Sequence, residues 1–352
     1  MRVAIFGLGA VAERIHLPAC RAVPGLELIA ACEPNADQRV SMCRKWQIPH
    51  AYPDANALFA AETPEVVMIG TPPGTHRDIA LQALERGAHV FCEKPFMESV
   101  AEADEVIAAA DARGRLIVVN NQYRHKKIYA QVRERLARGD FGRLFFLQCW
   151  QQMFHPPSEE TNWRAGLRRS TLYEFGTHPL DLITFFFDAL PESIYATIPR
   201  ARPEVSEADV LVQATLRFPG ERLATLALNR VSHAPERYLE MRLDCEKASI
   251  RISLGGVARA SLDWSRAAGR PIARMSFVRG GEARAESGGR SRVIAVEKDE
   301  AFASATATHL KKFFEEIQAG KKDNAAARHA REILRIVFAG YESAASGQPQ
   351  RL

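Results

Sequence analysis

Up to about residue 121, short, mostly apolar runs at residues 3–6, 26–32, 66–69, 89–92 and 116–119 alternate with segments of helical period. Runs of four to seven apolar residues separated by helices predict strands covered on both faces, which is a doubly wound parallel sheet with crossover helices. Thr75 with Asp78 and Ser99 with Glu102 have the spacing that caps helix starts, and Gly87 and Gly114 stand where helices should end. A further helix is predicted over residues 127–138, closed by Gly139. Beyond it the period drops to two, over residues 144–153, 193–199, 208–218, 222–232 and 237–244. Alternating strands joined by short turns such as Pro219-Gly220-Glu221 predict an open, mainly antiparallel sheet in an α+β domain. The Gly/Arg/Ser-rich stretch 279–292 reads as a solvated loop, with a phosphate-gripping arm as the alternative. Two closing helices follow, one with His309, Leu310, Phe313, Phe314 and Ile317 on a face, the next with Ile333, Leu334, Val337, Phe338 and Tyr341.

A chain of 352 residues exceeds one ordinary core, so two domains are expected, over residues 1–122 and 123–352, with the last helices able to pack back on the first. The 47% hydrophobic and 25% charged fractions are those of a globular protein, and no apolar run is long enough for a bilayer. Met1-Arg2 passes straight into the first strand, from which a cytoplasmic location is expected. Cys20, Cys32, Cys43, Cys92, Cys149 and Cys245 are scattered without a C-x-x-C pair, so reduced thiols are expected and neither a zinc knuckle nor a disulfide framework. The net charge of +5 is spread among acids, which speaks against nucleic acid and suits an anionic small cofactor.

Residues 3–6 feed Gly7-Leu8-Gly9-Ala10-Val11-Ala12, a G-x-G-x-x-A motif placed between a buried strand and a helix, as a dinucleotide site requires. Gly7 permits the turn, Gly9 lets backbone approach the pyrophosphate, and Ala12 keeps the helix near the sheet while its first N–H groups, from Ala10 and Val11 onward, face the phosphates. Glu33 ends the second strand where a carboxylate would take the ribose hydroxyls, which favours NAD over NADP. Asn35 and Arg39 follow closely enough to rebuild the pocket for a 2'-phosphate, and Glu33 as a mere polar strand end is the plainer alternative. Thr71-Pro72-Pro73 and Glu93-Lys94-Pro95 close two later strands at the carboxyl edge, where open α/β sheets bind ligands. His76 is expected either beside the cofactor or as a surface histidine in the first turn of a helix, and Asn121 beside the nicotinamide or in a linker. A dinucleotide motif with a lysine at a later strand end implies redox chemistry.

Together with Trp163-Arg164, Gly176-Thr177-His178, Asp181 and the closing Tyr341-Glu342-Ser343-Ala344, these pieces resemble the glucose-fructose oxidoreductase, inositol dehydrogenase and rhizopine-catabolism family, Gfo/Idh/MocA. The resemblance runs through almost the whole chain, in the family's order. It implies an N-terminal Rossmann domain, a C-terminal substrate-binding α/β domain with an open antiparallel sheet, and NAD(P)-dependent oxidation or reduction of a sugar, cyclitol or related alcohol. A homodimer or homotetramer built through that sheet is also implied. Lys94 and His178 match the family's catalytic lysine and histidine. A base near neutrality suits removal of the hydroxyl proton, and an ammonium suits a developing alkoxide.

The chain departs from the family where an aspartate is usual four residues before the histidine, since Glu174 stands there. On one helix Glu174, His178 and Asp181 would share a face, and the extra methylene alters reach. Arg169-Ser170-Thr171 replaces a glycine triplet, so a narrower and more cationic pocket is expected. Pro179 would free the carbonyl of Phe175 and kink the chain beside His178. Tyr123, Trp163, Arg164 and Asp181 are candidates for the substrate side, with core filling the alternative for Trp163. His155, Glu159 and Glu160 lack a metal-binding spacing, so no metal is expected. Two other readings of the chain stay open: an NAD-retaining glycosidase of the same family, and a non-catalytic dinucleotide-binding regulator.

Overall fold

The computed structural model describes residues 1–156, 160, 163–201, 207–233, 237–255, 257–265, 270–278, 280–297 and 302–352. The chain divides into two compact units, Met1–His125 with Phe302–Val337, and Lys126–Ala301 with Phe338–Leu352.

The first unit is built on β1 (Arg2–Phe6), β2 (Glu27–Cys32), β3 (His50–Tyr52), β4 (Val66–Ile69), β5 (His89–Cys92) and β6 (Ile117–Val119), joined by α1 (Leu17–Ala22), α2 (Ala36–Trp46), α3 (Ala55–Ala61), α4 (His76–Glu85) and α5 (Val100–Ala112). The strand order is β3-β2-β1-β4-β5-β6, and every pairing is parallel. All four residues of β4 and of β5 are buried, which explains why the sequence shows unbroken apolar runs there and no alternation. The short edge strand β3 is polar and half-exposed, and no apolar run announced it. Ser99 caps α5 by accepting the Glu102 N–H at 3.1 Å, and Gly87 and Gly114 close α4 and α5 with φ of 77° and 59°. Thr75 makes no such cap: its hydroxyl turns back to Thr71 Oγ1 and the Pro72 carbonyl at 2.7 and 2.9 Å. Those bonds stiffen the loop after β4 instead of the start of α4.

The helix α8 (Phe302–Gln318) places Leu310, Phe313 and Phe314 in the same core as Val3, Ile5, Phe91 and Val118. Each such side chain removed from water contributes about 1.5–3 kcal/mol. At the start of α9 (Ala325–Ser346), buried Asn324 accepts the Ile117 N–H and donates to Asp111 and the Arg115 carbonyl, tying this segment to the start of β6.

In the second unit, α6 (Lys127–Ala137) ends at Gly139, whose φ is 76°. Its large sheet comprises β7 (Leu144–Gln152), β8 (Ser193–Thr197), β9 (Leu211–Phe218), β10 (Arg222–Asn229), β11 (Leu239–Cys245), β12 (Ser249–Leu254), β15 (Gly281–Ser287), β16 (Arg290–Glu297) and β17 (Gln350–Arg351); β13 (Val257–Ser265) pairs separately with β14 (Arg270–Val278). The order is β16-β15-β12-β11-β7-β10-β9-β8-β17. Only β7 with β10 is parallel among these pairings, so the sheet is mixed though mainly antiparallel. The hairpin β9–β10 turns through Gly220 and Glu221, both at positive φ. The loop expected over 279–292 is corrected: apart from residue 279, which lies outside the described residues, the stretch is the hairpin β15–β16, turned by Gly288 and Gly289 at φ 55° and 72°. A Gly-Gly turn needs left-handed φ at both positions, and Arg290 and Arg292 beside it are exposed. The helix α7 (Thr177–Phe187) packs its almost wholly buried length near β7.

Candidate active site

In the first unit the backbone turns sharply after β1, and Gly7 holds that turn at φ 85°, its N–H bonded to the Cys32 carbonyl at 2.9 Å. A Cβ on Gly7 would lie 2.9 Å from the Gly70 carbonyl oxygen, so packing demands glycine there. Nothing of the protein lies within 4 Å of a Cβ built on Gly9. Glycine at position 9 therefore leaves open backbone at the surface, which fits close approach of a pyrophosphate and not a need of the fold. Helical turns begin at Ala10 and run through a π turn, Ala12–His16, into α1. Glu33 faces this loop. Its Oε2 accepts the Leu8 N–H at 2.9 Å and its Oε1 the Asn35 N–H at 3.0 Å. The carboxylate thus shapes the glycine loop, while each oxygen retains acceptor capacity for a ribose hydroxyl. Arg39 Nη1 donates to the Glu33 and Pro34 carbonyls at 2.5 and 3.1 Å.

At the carboxyl ends of β4, β5 and β6 the polar groups are tightly linked. Glu93 is buried, and its Oε1 lies 2.8 Å from His16 Nε2 and 2.6 Å from Asn120 Nδ2, while Oε2 accepts the Lys94 N–H at 3.1 Å. Burial alone would raise its pKa, but the hydrogen bond and charge of His16, the Asn120 amide and the Lys94 ammonium overcome this and hold it at about 2. Lys94 itself is partly exposed and begins a cis Lys94–Pro95 peptide. Asn121, whose N–H returns to the Val119 carbonyl, is half-buried. Tyr123 is 3% exposed, and its ring centroid lies 5.6 Å from that of Phe302.

The surface position expected for His76 is corrected, because the residue is fully buried. Its Nε2 lies 2.8 Å from the Thr71 carbonyl and its Nδ1 3.1 Å from the Phe96 carbonyl. Burial lowers its pKa, outweighing those carbonyl contacts. The ring lies between the Thr71-Pro72-Pro73 loop and the segment after Lys94-Pro95, with the Cys92 Sγ also 3.4 Å from Nδ1.

In the second unit, Glu174 and His178 do not share one continuous α-helix. Residues Thr171–Phe175 form a π turn, Gly176 follows it, and α7 starts at Thr177, with the Gly176 N–H reaching back to the Thr171 carbonyl at 2.9 Å. The wide turn precedes Pro179, which has no N–H for the preceding carbonyls. His178 and Asp181 are 5% and 1% exposed. Glu174, also buried, accepts from Arg164 Nε at 2.6 Å, and the Arg164 guanidinium lies 4.6 Å from the Trp163 ring centroid. Three of the sequence-derived candidates are therefore one group, with Trp163 covering an Arg164–Glu174 ion pair. A carboxylate engaged in that way is a positioning element more readily than a base.

Four residues that the sequence did not single out complete these surroundings. Asp209 accepts the Ser170, Thr171 and Leu172 N–H groups at 2.5, 3.0 and 3.0 Å and the Tyr341 hydroxyl at 2.9 Å, so it anchors the start of the π turn. Arg230, 1% exposed, donates to Ser170 Oγ and Glu160 Oε1 at 2.8 and 2.9 Å and lies 4.3 Å from the Phe175 ring centroid. Glu160 also meets His155 at 2.9 Å, and Glu159 lies outside the described residues. His16 and Asn120 are the other two. Pro18 inside the first helical pattern was a signal for an irregular turn at His16. Asn120 stands one residue before the expected Asn121, at the buried end of β6.

Among the described residues, no helix is long and apolar enough to cross a membrane, and no cluster of three His, Cys, Asp or Glu could hold a metal ion. Two family profiles match the chain, one described as "Oxidoreductase family, NAD-binding Rossmann fold" over residues 1–121 and one as the GFO/IDH/MocA C-terminal domain over residues 129–251. The chain is 31% identical over 145 residues to D-glucoside 3-dehydrogenase of Escherichia coli, covering 41% of each. Alignments to such curated relatives span 41% to 68% of the relatives' own lengths. The fold is shared, at 100% coverage of this chain and 99% of the other, with myo-inositol 2-dehydrogenase of Lactobacillus plantarum (TM-score 0.77, 19% identity) and with a levoglucosan dehydrogenase in complex with NADH and levoglucosan (TM-score 0.80, 18% identity).

Proposed function

The chain belongs to the Gfo/Idh/MocA oxidoreductase family, and from that premise we propose that it transfers a hydride between a nicotinamide dinucleotide and a secondary alcohol or ketone of a sugar, cyclitol or related polyol. The carrying observation is the bare backbone at Gly9 in the loop that Glu33 holds through the Leu8 N–H, together with a lysine at the carboxyl edge of the same sheet. Gly7, Gly9 and the N–H groups from Ala10 to Ala12 hold the pyrophosphate, and Glu33 takes the adenosine ribose. Thr71, Pro72, Glu93 and Asn121 line the nicotinamide end, with His76 bracing that wall from behind. When bound, the nicotinamide supplies the hydride acceptor or donor.

Lys94 orients the reacting hydroxyl and stabilises negative charge developing on its oxygen. His178 takes the hydroxyl proton in oxidation and returns it in reduction. Trp163 offers a partly exposed ring face to a sugar, and Asp181 and Tyr123 complete the substrate assignment. The Arg164–Glu174 pair holds the turn that carries His178. NAD is favoured over NADP, because the Glu33 carboxylate would repel a 2'-phosphate and Arg39 is committed to two carbonyl oxygens. A cytoplasmic homo-oligomer assembled through the large sheet completes the reading.

The test is a panel of sugars, cyclitols and their keto forms with NAD and NADP, followed at the nicotinamide absorbance band, in the wild type and in Lys94→Ala. Turnover should fall by orders of magnitude in the variant while NAD affinity stays nearly unchanged. An undiminished rate would remove Lys94 from the reaction.

A further inference from the structure

We infer that His16, acting with Asn120 on the buried carboxylate of Glu93, fixes the main chain of Lys94 at the carboxyl edge of the parallel sheet and is a positioning residue for the reaction. The inference rests on the catalytic role proposed for Lys94. A carboxylate with 6% exposure is costly unless its oxygens are bonded, and here one oxygen serves two side chains and the other serves the Lys94 N–H. The Glu93 N–H is bound by the Ile69 carbonyl at 2.8 Å and the Asn120 N–H by the Cys92 carbonyl at 2.7 Å. Through its backbone and its carboxylate, Glu93 thus gathers the ends of β4, β5 and β6 and the helix that follows the glycine loop. The residue whose backbone it grips is the lysine.

The surrounding chain is shaped to admit this imidazole. A Cβ on Gly70 would lie 2.8 Å from His16 Cε1 and 2.9 Å from Nδ1, and Gly70 is not among the glycines at positive φ, so the ring and not the backbone requires glycine there. The π turn Ala12–His16, closed by the Leu17 N–H on the Ala12 carbonyl and followed by Pro18, brings His16 to Glu93. Asn120 carries the linkage onward, 3.3 Å from Thr306 Oγ1 and 3.5 Å from His309 Nδ1 on α8. A histidine used only to fill the core would need neither the widened turn nor the glycine. A shift of about an ångström at a catalytic group can cost about 100-fold in rate, so a bracket of this kind has kinetic consequences.

Three variants separate positioning from bulk. Glutamine at 16 keeps an N–H that reaches Glu93, asparagine is one methylene short, and Gly70→Ala displaces the ring without altering it. The Lys94 amide resonance is followed in 15N-lysine-labelled protein, assigned by its loss in Lys94→Ala. NADH affinity is read by fluorescence, and turnover with the best substrate of a panel containing methyl glucosides and myo-inositol. His16→Asn and Gly70→Ala should both move the Lys94 amide and lower kcat about 10- to 100-fold, with the NADH Kd within about threefold. His16→Gln should restore both readouts, and His16→Asn should cost nothing further in a Lys94→Ala background. An unmoved Lys94 amide in both damaging variants, or a His16→Asn loss that adds in full to Lys94→Ala, would overturn the inference. Wild-type turnover by Lys94→Ala would instead end the proposed function, and the amide measurement, which needs no substrate, would still decide whether the bracket exists.

Discussion

Replacing Gly176 by alanine would place a methyl carbon 2.4 Å from the Leu172 carbonyl oxygen and 2.9 Å from Leu172 Cδ1. Real Cβ atoms essentially never come within 3.0 Å of a non-bonded heavy atom, so the backbone must open by about 0.6 Å. The π turn cannot give way, because Asp209 holds the Thr171 and Leu172 N–H groups at 3.0 Å each and Tyr341 holds Asp209. The movement falls on the start of α7, and His178 lies two residues on. Overpacking of this kind costs about 1–3 kcal/mol, and a displacement over half an ångström at the proposed base should lower kcat about 10- to 100-fold. Thermal denaturation and steady-state kinetics on one preparation read both effects, and NADH affinity should be unchanged because the residues proposed to hold the dinucleotide belong to the first unit. A Gly176→Ala protein with kcat within about threefold of wild type and an unaltered melting temperature would show that this turn does not set the position of His178.

Glu33→Ala should weaken NAD more than NADP in paired fluorescence titrations, since the charge that repels a 2'-phosphate is gone; equal losses would leave Glu33 only its role of holding the Leu8 and Asn35 amides. Glu93 carries a pH dependence whose sign follows from its pKa, depressed from 4.5 to about 2: its contribution is present above the unfolded value and is lost as pH falls toward 2. Between pH 5 and about 2 the wild type should lose roughly 3 kcal/mol more stability than Glu93→Gln, and parallel curves from denaturant unfolding would contradict this. Arg164→Gln should reduce stability by about 1–3 kcal/mol through the loss of the charged hydrogen bond to Glu174, with Arg164→Lys recovering part of it in the same melting assay.

Strands buried on both faces were legible as unbroken apolar runs, and the strands of the large sheet with one solvated face as alternation, because each pattern is a direct image of burial. The edge strand His50–Tyr52 left no such image, since it buries little. The stretch 279–292 resembles a loop in sequence because Arg, Ser and Gly are as frequent in a solvated hairpin as in a loop; the decisive signal is Gly288-Gly289, which fits a two-residue turn. Around the candidate site, Gly7, Glu33 and Lys94 stand out as candidates because their spacing from strands carries meaning by itself. His16, Asn120, Asp209 and Arg230 act through partners 27 to 132 positions away, and separation of that kind has no local signature. Glu174 shows the same limit: helical spacing placed it with His178, whereas a π turn and the Arg164 guanidinium determine its surroundings.

The most direct measurement uses the best polyol of the panel, deuterated at its carbinol carbons, with NAD and enzyme, and reads the nicotinamide C4 position of the released cofactor by proton NMR. Deuterium at that carbon, appearing in step with product ketone and suppressed in Lys94→Ala and in His178→Ala, is the predicted result. Conversion of substrate without deuterium in the free cofactor, or no conversion by any polyol while NADH still binds, would contradict hydride transfer as the activity of this chain.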